Sequence, residues 1–214
     1  MSTLQTIALI LAILILVFVI SKTDLNALVS SKRLQHRVFG TSTALFVLWL
    51  FKVSIHEGLV MHFLGITAFT LILGFRWAII SGIAVLLLST VFGYDSFAKF
   101  GVNALLGVVV PVALSYVFYM FSFHKLPKHI FIYLFICAFF PGALSIGLKM
   151  ALMSGYYLAE GSYTWNTIMY NYAQMTILLM FQEAFFNGMM MTCLIVYKPD
   201  WVYTYSDKFY LDGK

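Results

Sequence analysis

Apolar residues fill most of this chain in long continuous runs, which short polar or charged segments separate. Seven runs approach the about 20 residues that a helix needs to cross a bilayer; they cover residues 4–20, 38–55, 59–75, 77–93, 100–122, 129–153 and 168–196. The runs are continuous, whereas the strands of a membrane barrel alternate between apolar and polar positions. The pattern therefore predicts an all-α integral membrane protein, a bundle of about seven transmembrane helices. Only Gly74–Trp77 parts the third run from the fourth, so a tight turn is expected there.

Composition supports a membrane protein and excludes a soluble domain. Of the 214 residues, 62% are hydrophobic and only 10% are charged, whereas soluble domains carry about 25% charged residues. A net charge of +5 would suggest a nucleic-acid partner in a soluble protein, but in a membrane protein it reflects topology, and we expect no nucleic-acid partner. Cys137 and Cys193 both lie in apolar runs, so neither a disulfide framework nor a zinc ribbon is indicated.

The basic residues predict an orientation. With seven spans, ten of them fall on one side of the membrane and three on the other, and cytoplasmic loops are the ones that collect Lys and Arg. We therefore expect the N-terminus outside and the C-terminus in the cytoplasm of a multi-pass protein in the inner (cytoplasmic) membrane, surrounded by lipid. The first run, residues 4–20, lacks a basic leader and a small-residue cleavage motif, so it is predicted to be a retained helix.

Polar residues inside the apolar runs need a reason, because charge is costly in hydrocarbon. Glu183 lies in the seventh run, and Asn187 follows four residues later on the same helix face. These two intramembrane polar residues fit either a hydrogen-bonded clamp between helices, with Glu183 protonated, or a proton or cation relay.

Lys149, near the outer end of the sixth run, is expected to snorkel to the interface. The four tryptophans lie near the ends of runs and are expected in the interfacial aromatic belt: Trp49, Trp77, Trp165 and Trp201.

A second group of polar residues precedes the third run. His56, Glu57 and His62 lie within seven residues, and imidazole and carboxylate are ligands that Ni, Co, Zn or Cu accept. Their spacing differs from a helical zinc motif with histidines four apart, so they converge only if the chain bends, which Gly58 permits. The alternative is two interfacial histidines with no special task.

Motifs for catalysis are missing from the sequence. It contains no nucleophile elbow, no phosphate-binding glycine loop and no paired carboxylates. We therefore expect no enzymatic activity and no nucleotide site in this chain, so that active transport would draw its energy from a partner or an ion gradient.

A series of short motifs resembles the membrane subunit of cobalt and nickel energy-coupling-factor transporters, the CbiM/NikM family. Each motif is weak alone, and their shared order over roughly residues 38–200 carries the resemblance. In chain order the counterparts are His62-x-x-Gly65, the segment Leu73–Ala78, the Phe92-Gly93 turn, Gly101-x-Asn103, Glu183 and Lys198-Pro199-Asp200. The resemblance implies one membrane domain, 1–214, made of an extra N-terminal helix and basic cytoplasmic loop (4–37), a family-like helical core (38–200) and a cytoplasmic tail (201–214).

The resemblance also implies a function. In that family a histidine at the N-terminus, the free amino group and a helix histidine bind the metal from the outer side. His62 matches the helix histidine, whereas the chain begins Met-Ser-Thr-Leu, so His56 and Glu57 would replace the N-terminal ligands. We expect a substrate-binding (permease) subunit for a divalent transition metal, Ni or Co before Cu or Zn, with Asn103 supporting the pocket. Separate energy-coupling transmembrane and ATPase subunits would be its partners.

Two other functions compete with metal capture. The first is a non-transporting membrane scaffold or assembly factor that retains the fold without the metal site. The second is a proton-coupled carrier centred on Glu183, which ranks last because the runs offer no clear second carboxylate or histidine as its partner.

Overall fold

The structure, a computed structural model, describes residues 2–56 and 59–210, with only the backbone of residues 54–56. Within these ranges the chain forms nine α-helices, one antiparallel hairpin and a 3₁₀ turn. The elements are α1 (Thr3–Ser21), α2 (Asn26–Ser30), α3 (Lys32–Leu50), β1 (Lys52–His56), β2 (Leu59–His62), α4 (Ile66–Leu73), α5 (Phe75–Val91), α6 (Phe97–Lys125), α7 (Ile130–Ala159), α8 (Trp165–Tyr197), the 3₁₀ turn Pro199–Trp201 and α9 (Asp207–Tyr210).

Four helices, α1, α6, α7 and α8, are long and apolar enough to cross a membrane. The prediction of an all-α membrane protein is therefore confirmed. Helix α5 is apolar but has only 17 residues. The number of seven spans and the orientation stay predictions.

The second and third predicted spans differ from the observed elements. Helix α3 begins at Lys32, where the Ser31 hydroxyl accepts a hydrogen bond from the Leu34 amide, and it ends at Leu50. The predicted span 59–75 instead begins with β2, and α4 has only eight residues, about 12 Å of helix. The prediction failed here because a short apolar run does not distinguish a strand from a helix by periodicity.

The hairpin reverses the chain between His56 and Leu59. Its register pairs Lys52 with His62 and Val53 with Met61, and it becomes irregular between Ser54 and His56. His62 therefore lies at the base of the hairpin, next to the residues that lead into α4, whereas His56 lies at its tip.

Two of the long helices widen where a proline follows. Leu105–Val109 in α6 and Tyr133–Phe139 in α7 are π-helical, ahead of Pro111 and Pro141. Proline lacks an amide hydrogen and clashes with the carbonyl four residues earlier, and a π-turn at that place relieves both problems. The widened turns keep both helices continuous.

Helix α4 lies at the centre of the bundle, and all eight of its residues are buried. The Thr67 hydroxyl contacts Ser115 of α6 at 2.8 Å and Ser145 of α7 at 3.3 Å. At its end Gly74 adopts φ = +78°, and a side chain there would meet the Tyr203 ring at 2.7 Å. This glycine makes the predicted tight turn into α5.

The first helix packs on the bundle. The side-chain Nε2 of Gln5 donates hydrogen bonds to Tyr156 Oη at 3.1 Å and Glu160 Oε1 at 2.8 Å, both at the end of α7. Farther along, α1 crosses α6 so closely that a Cβ at Gly101 would lie 2.4 Å from the Leu9 backbone. Such small-residue crossings let helix backbones approach in a membrane, where dispersion contacts drive association.

We predict that Gly101→Ala separates α1 from α6 and lowers the melting temperature in detergent, because overpacking at a rigid contact costs about 1–3 kcal/mol. Gly155→Ala is the matched control, since nothing lies within 4 Å of the added methyl and alanine favours a helix. A thermal melt of Gly101→Ala that equals that of Gly155→Ala would contradict the close crossing.

Candidate functional site

Two buried polar side chains of α8 hold the start of α4. The Glu183 carboxylate accepts hydrogen bonds from the backbone amides of Leu64 and Gly65, and Asn187 Nδ2 donates to its Oε2 at 2.8 Å. The Asn187 side-chain oxygen in turn accepts from the Ala68 amide at 2.8 Å. Glu183 is 1% exposed and Asn187 is fully buried. The contacts are therefore those of a clamp between α8 and the segment that leads into α4.

The physical reason for the clamp is the amino end of α4. The first amides of a helix lack partners within it, and the helix dipole favours a negative group there. Gly65 adopts φ = +62° directly before α4, and a side chain at that position would meet Leu48 at 2.8 Å. In the described part of the chain, every partner of the Glu183 carboxylate is an N–H donor, so both oxygens act as acceptors. These contacts match the clamp, one of the two alternatives that the sequence left open, and the protonation of Glu183 that went with it stays a prediction.

His62 lies two residues before the clamp, at the end of β2. Its Nδ1 is 2.8 Å from the Phe63 carbonyl oxygen, which only accepts hydrogen bonds, so Nδ1 carries the hydrogen and Nε2 is an acceptor. Nε2 meets Nζ of Lys149, from α7, at 3.2 Å. The Trp49 ring packs edge-on against the imidazole with 5.4 Å between centroids, and Trp49 Nε1 donates to the Leu64 carbonyl at 3.0 Å. The imidazole is therefore held on three sides.

The same surroundings affect the protonation of His62, which belongs to β2 and not to a membrane-spanning helix. Burial and the nearby Lys149 ammonium lower the pKa of His62 well below its usual value. The ring is consequently neutral at pH 7, which is the form in which imidazole binds metals.

His62 lines a cavity of about 180 Å³, which we call the hairpin cavity. It lies between β2, the α5–α6 loop, α6 and α7, and its polar lining includes His62, Asp95, Lys99, Asn103, Lys149 and Tyr157. Gly107, in the π-turn of α6, also lines it, and a Cβ there would be 4.0 Å from Cε of Lys149. This volume holds several water molecules or a small polyatomic ion.

Three lysines surround the cavity. Lys52 forms a salt bridge with Asp95 at 2.6 Å, and both side chains are mostly buried. Lys99 lies over the Tyr157 ring, with Nζ 5.1 Å from the centroid. Lys149 is the deepest of the three and contacts His62. The hairpin cavity therefore combines a neutral imidazole with an excess of positive charge.

Two sequence-based interpretations are wrong at this site. Lys149 does not snorkel, since the residue is 6% exposed and its Nζ is hydrogen-bonded to His62 Nε2 inside the protein. Trp49 is 3% exposed and packs on His62 inside the protein, so it is not part of an aromatic belt. The signal for Lys149 was present, because a lysine within an apolar run is itself unusual. The contribution of Lys52, Lys99 and Asp95 depended on tertiary contacts that no local pattern shows.

The predicted metal residues have different outcomes. His62 and Asn103 line the same cavity, although the supporting role of Asn103 stays a prediction. The backbone of His56 lies opposite Leu59 in the hairpin, and Glu57 lies outside the described residues. Among the residues that the structure describes, no three His, Cys, Asp or Glu side chains come together as a ready metal site.

Comparison with known proteins points to one family. A family model described as cobalt uptake substrate-specific transmembrane region (CbiM) matches residues 2–201. The matched range includes α1 and the basic segment after it, which the sequence resemblance, drawn from residue 38 onward, had not covered. The searches of curated proteins and of solved structures returned no match.

We predict that Glu183→Ala strongly destabilises the protein, because it leaves the Leu64 and Gly65 amides buried without an acceptor. An unsatisfied buried donor costs about 1–3 kcal/mol, and more when the lost partner is charged. Gln182→Ala, one residue away on α8, is the control for loss of a polar side chain. Thermal unfolding in detergent measures both variants, and equal melting temperatures would exclude the clamp.

Proposed function

The chain belongs to the family of the cobalt uptake substrate-specific transmembrane region, and on this premise we propose that it captures a divalent metal for uptake in the hairpin cavity. The family indicates a multi-pass membrane component of cobalt transport. The finer proposal is that Co²⁺ or Ni²⁺ is the substrate, with His62 as a ligand, and that the chain performs no chemical reaction itself.

The arrangement of His62 is the observation that carries the proposal. Metal-binding histidines commonly donate their other ring N–H to a carbonyl or carboxylate, which fixes the tautomer and the direction of the free nitrogen. In His62, Nδ1 donates to Phe63 at 2.8 Å, and the ring lines the hairpin cavity. Nε2 is thus the nitrogen available for a metal once the Lys149 ammonium moves aside.

The rest of the proposed site comes from the hairpin and α6. Asn103 lines the same cavity as His62, where its amide supports a ligand or a metal-bound water. His56 and Glu57 are the proposed additional ligands. In the hairpin register the backbone of His56 lies opposite Leu59, three residues before His62, so these two ligands would have to reach a metal on His62 from the tip of the hairpin.

We place the hairpin cavity at the outer face, with the N-terminus outside and the C-terminus in the cytoplasm of the inner membrane. The support is the distribution of basic residues along the sequence: if there are seven spans, ten lie on the inner side and only Lys52 and Lys99 in the outer loops, since Lys149 is buried within α7. Because the sequence offers no nucleotide-binding motif, ATP hydrolysis on separate energy-coupling subunits would drive release to the inside.

A scaffold or assembly factor is the second candidate, and one contact favours it. Nε2 of His62 is already occupied by the Lys149 ammonium, which is an unfavourable neighbour for a bare divalent cation. This alternative predicts no metal binding and stable co-purification with another membrane complex.

We predict that the purified chain in detergent binds Co²⁺ or Ni²⁺ and that His62→Ala lowers the affinity at least about tenfold, in line with loss of a metal ligand. Isothermal titration with Co²⁺, Ni²⁺, Cu²⁺ and Zn²⁺ measures the affinity and the preference. Separate His56→Ala and Glu57→Gln variants show whether the hairpin tip contributes.

His124→Ala is the matched control, because His124 is exposed near the end of α6 and contacts the Met120 carbonyl. Unchanged binding in a His56→Ala, His62→Ala double variant would remove this site from consideration. No heat of binding for any of the four metals would leave the scaffold as the better explanation.

A further inference from the structure

The hairpin cavity carries a charge that does not suit a bare metal cation. Lys99 and Lys149 line it, and Lys52 stands beside it. Among the described residues of the lining, Asp95 is the single carboxylate, and Lys52 binds it at 2.6 Å. Two of the three ammonium groups are therefore left without a carboxylate partner in this lining.

The nearest other carboxylates of the described chain are directed elsewhere. Glu183 accepts from the amides at the start of α4 and from Asn187. Glu160 accepts from the Gln5 amide and the Ser162 hydroxyl. Glu183 lies close enough to attract Lys149, and Glu160 close enough to attract Lys99. Neither residue lines the cavity, however, so neither supplies an oxygen inside it.

We propose that the hairpin cavity binds a small oxyanion, a carboxylate or an inorganic oxyanion, which enters together with the metal as its co-ligand. This inference rests on the proposed function, since it deepens the identity of the substrate from a bare ion to a metal–anion complex. The anion binds Lys149 and Lys99, and the metal binds His62 at one end of the anion.

A bound anion removes the charge repulsion between a metal on His62 and the Lys149 ammonium. A divalent cation on Nε2 would lie close to the Lys149 ammonium, which is 3.2 Å from that nitrogen, and like charges repel strongly where water is scarce. An anion between them attracts both. The ammonium then leaves Nε2 for an oxygen of the anion, which frees Nε2 for the metal.

The remaining donors of the cavity fit an oxyanion. Asn103 has an amide N–H₂, and its side chain makes no hydrogen bond in the described part of the chain. Together with two lysines it offers charge-assisted and neutral donors on one ligand, which is the usual way that proteins hold carboxylates and oxyanions. The cavity volume of about 180 Å³ accommodates a small anion and excludes a large chelate.

The test titrates the full-length chain in detergent with Co²⁺ in chloride buffer, then with malonate or sulfate added, and finally with each anion alone. We expect an anion to raise the Co²⁺ affinity at least tenfold after correction for complexes formed in solution. If malonate raises the Co²⁺ affinity and sulfate does not, the co-ligand is a carboxylate. If sulfate raises it and malonate does not, the co-ligand is an inorganic oxyanion, and an equal effect of both shows that the cavity accepts either class. No effect of either anion overturns the inference.

Lys149→Met and Lys99→Gln should each abolish the enhancement by the anion, whereas Lys125→Gln, an exposed lysine at the end of α6, should retain it. If Lys149→Met does not fold, Lys99→Gln decides the result alone. Co²⁺ binding that needs His62 but ignores anions and both lysines leaves the proposed function intact and refutes the co-ligand. Lysine-dependent anion binding without any metal binding refutes both metal capture and the role of the anion as a co-ligand of the metal.

Discussion

The Glu183 carboxylate at the start of α4 is the interaction on which the rest of the structure depends. A buried helix needs partners for its first amides, and here α8 supplies them through Glu183 and Asn187. The same carboxylate takes the Leu64 and Gly65 amides, which form the link from the hairpin to α4. Since His62 lies two residues before Leu64, the clamp that stabilises the core also sets the position of the candidate ligand.

The shape of the hairpin cavity depends on this clamp and on the position of α7, which forms the wall of the cavity opposite His62. The clamp and Trp49 hold the link, so the His62 ring has little freedom. The Lys149 side chain then reaches Nε2 from the opposite wall of the cavity. The site is thus preorganised and occupied by its own ammonium, so any ligand of Nε2 competes with Lys149.

The sequence predicted the helical membrane class and the tight turn at Gly74. It also predicted the ends of α1, α6 and α8 to within three residues, whereas α7 extends six residues past its predicted end at 153. It also drew attention to Glu183 and His62, because ionisable groups are rare in apolar runs. It failed at the hairpin, since residues 59–62 read as the start of a helix although they form β2. It failed at Lys149 because the cost of burying an ammonium favours snorkelling unless a specific partner compensates, and that partner is 87 residues away.

The sequence by itself determined that this is a membrane protein and which few polar residues are worth testing. Both follow from composition, because 10% charged residues cannot cover a water-exposed surface. Only the tertiary structure decided which of those residues meet: Glu183 with the start of α4, and His62 with Lys149 and Asn103 at one cavity. Such pairings depend on how helices cross and where glycines let them approach, and these are properties of packing that no local pattern encodes.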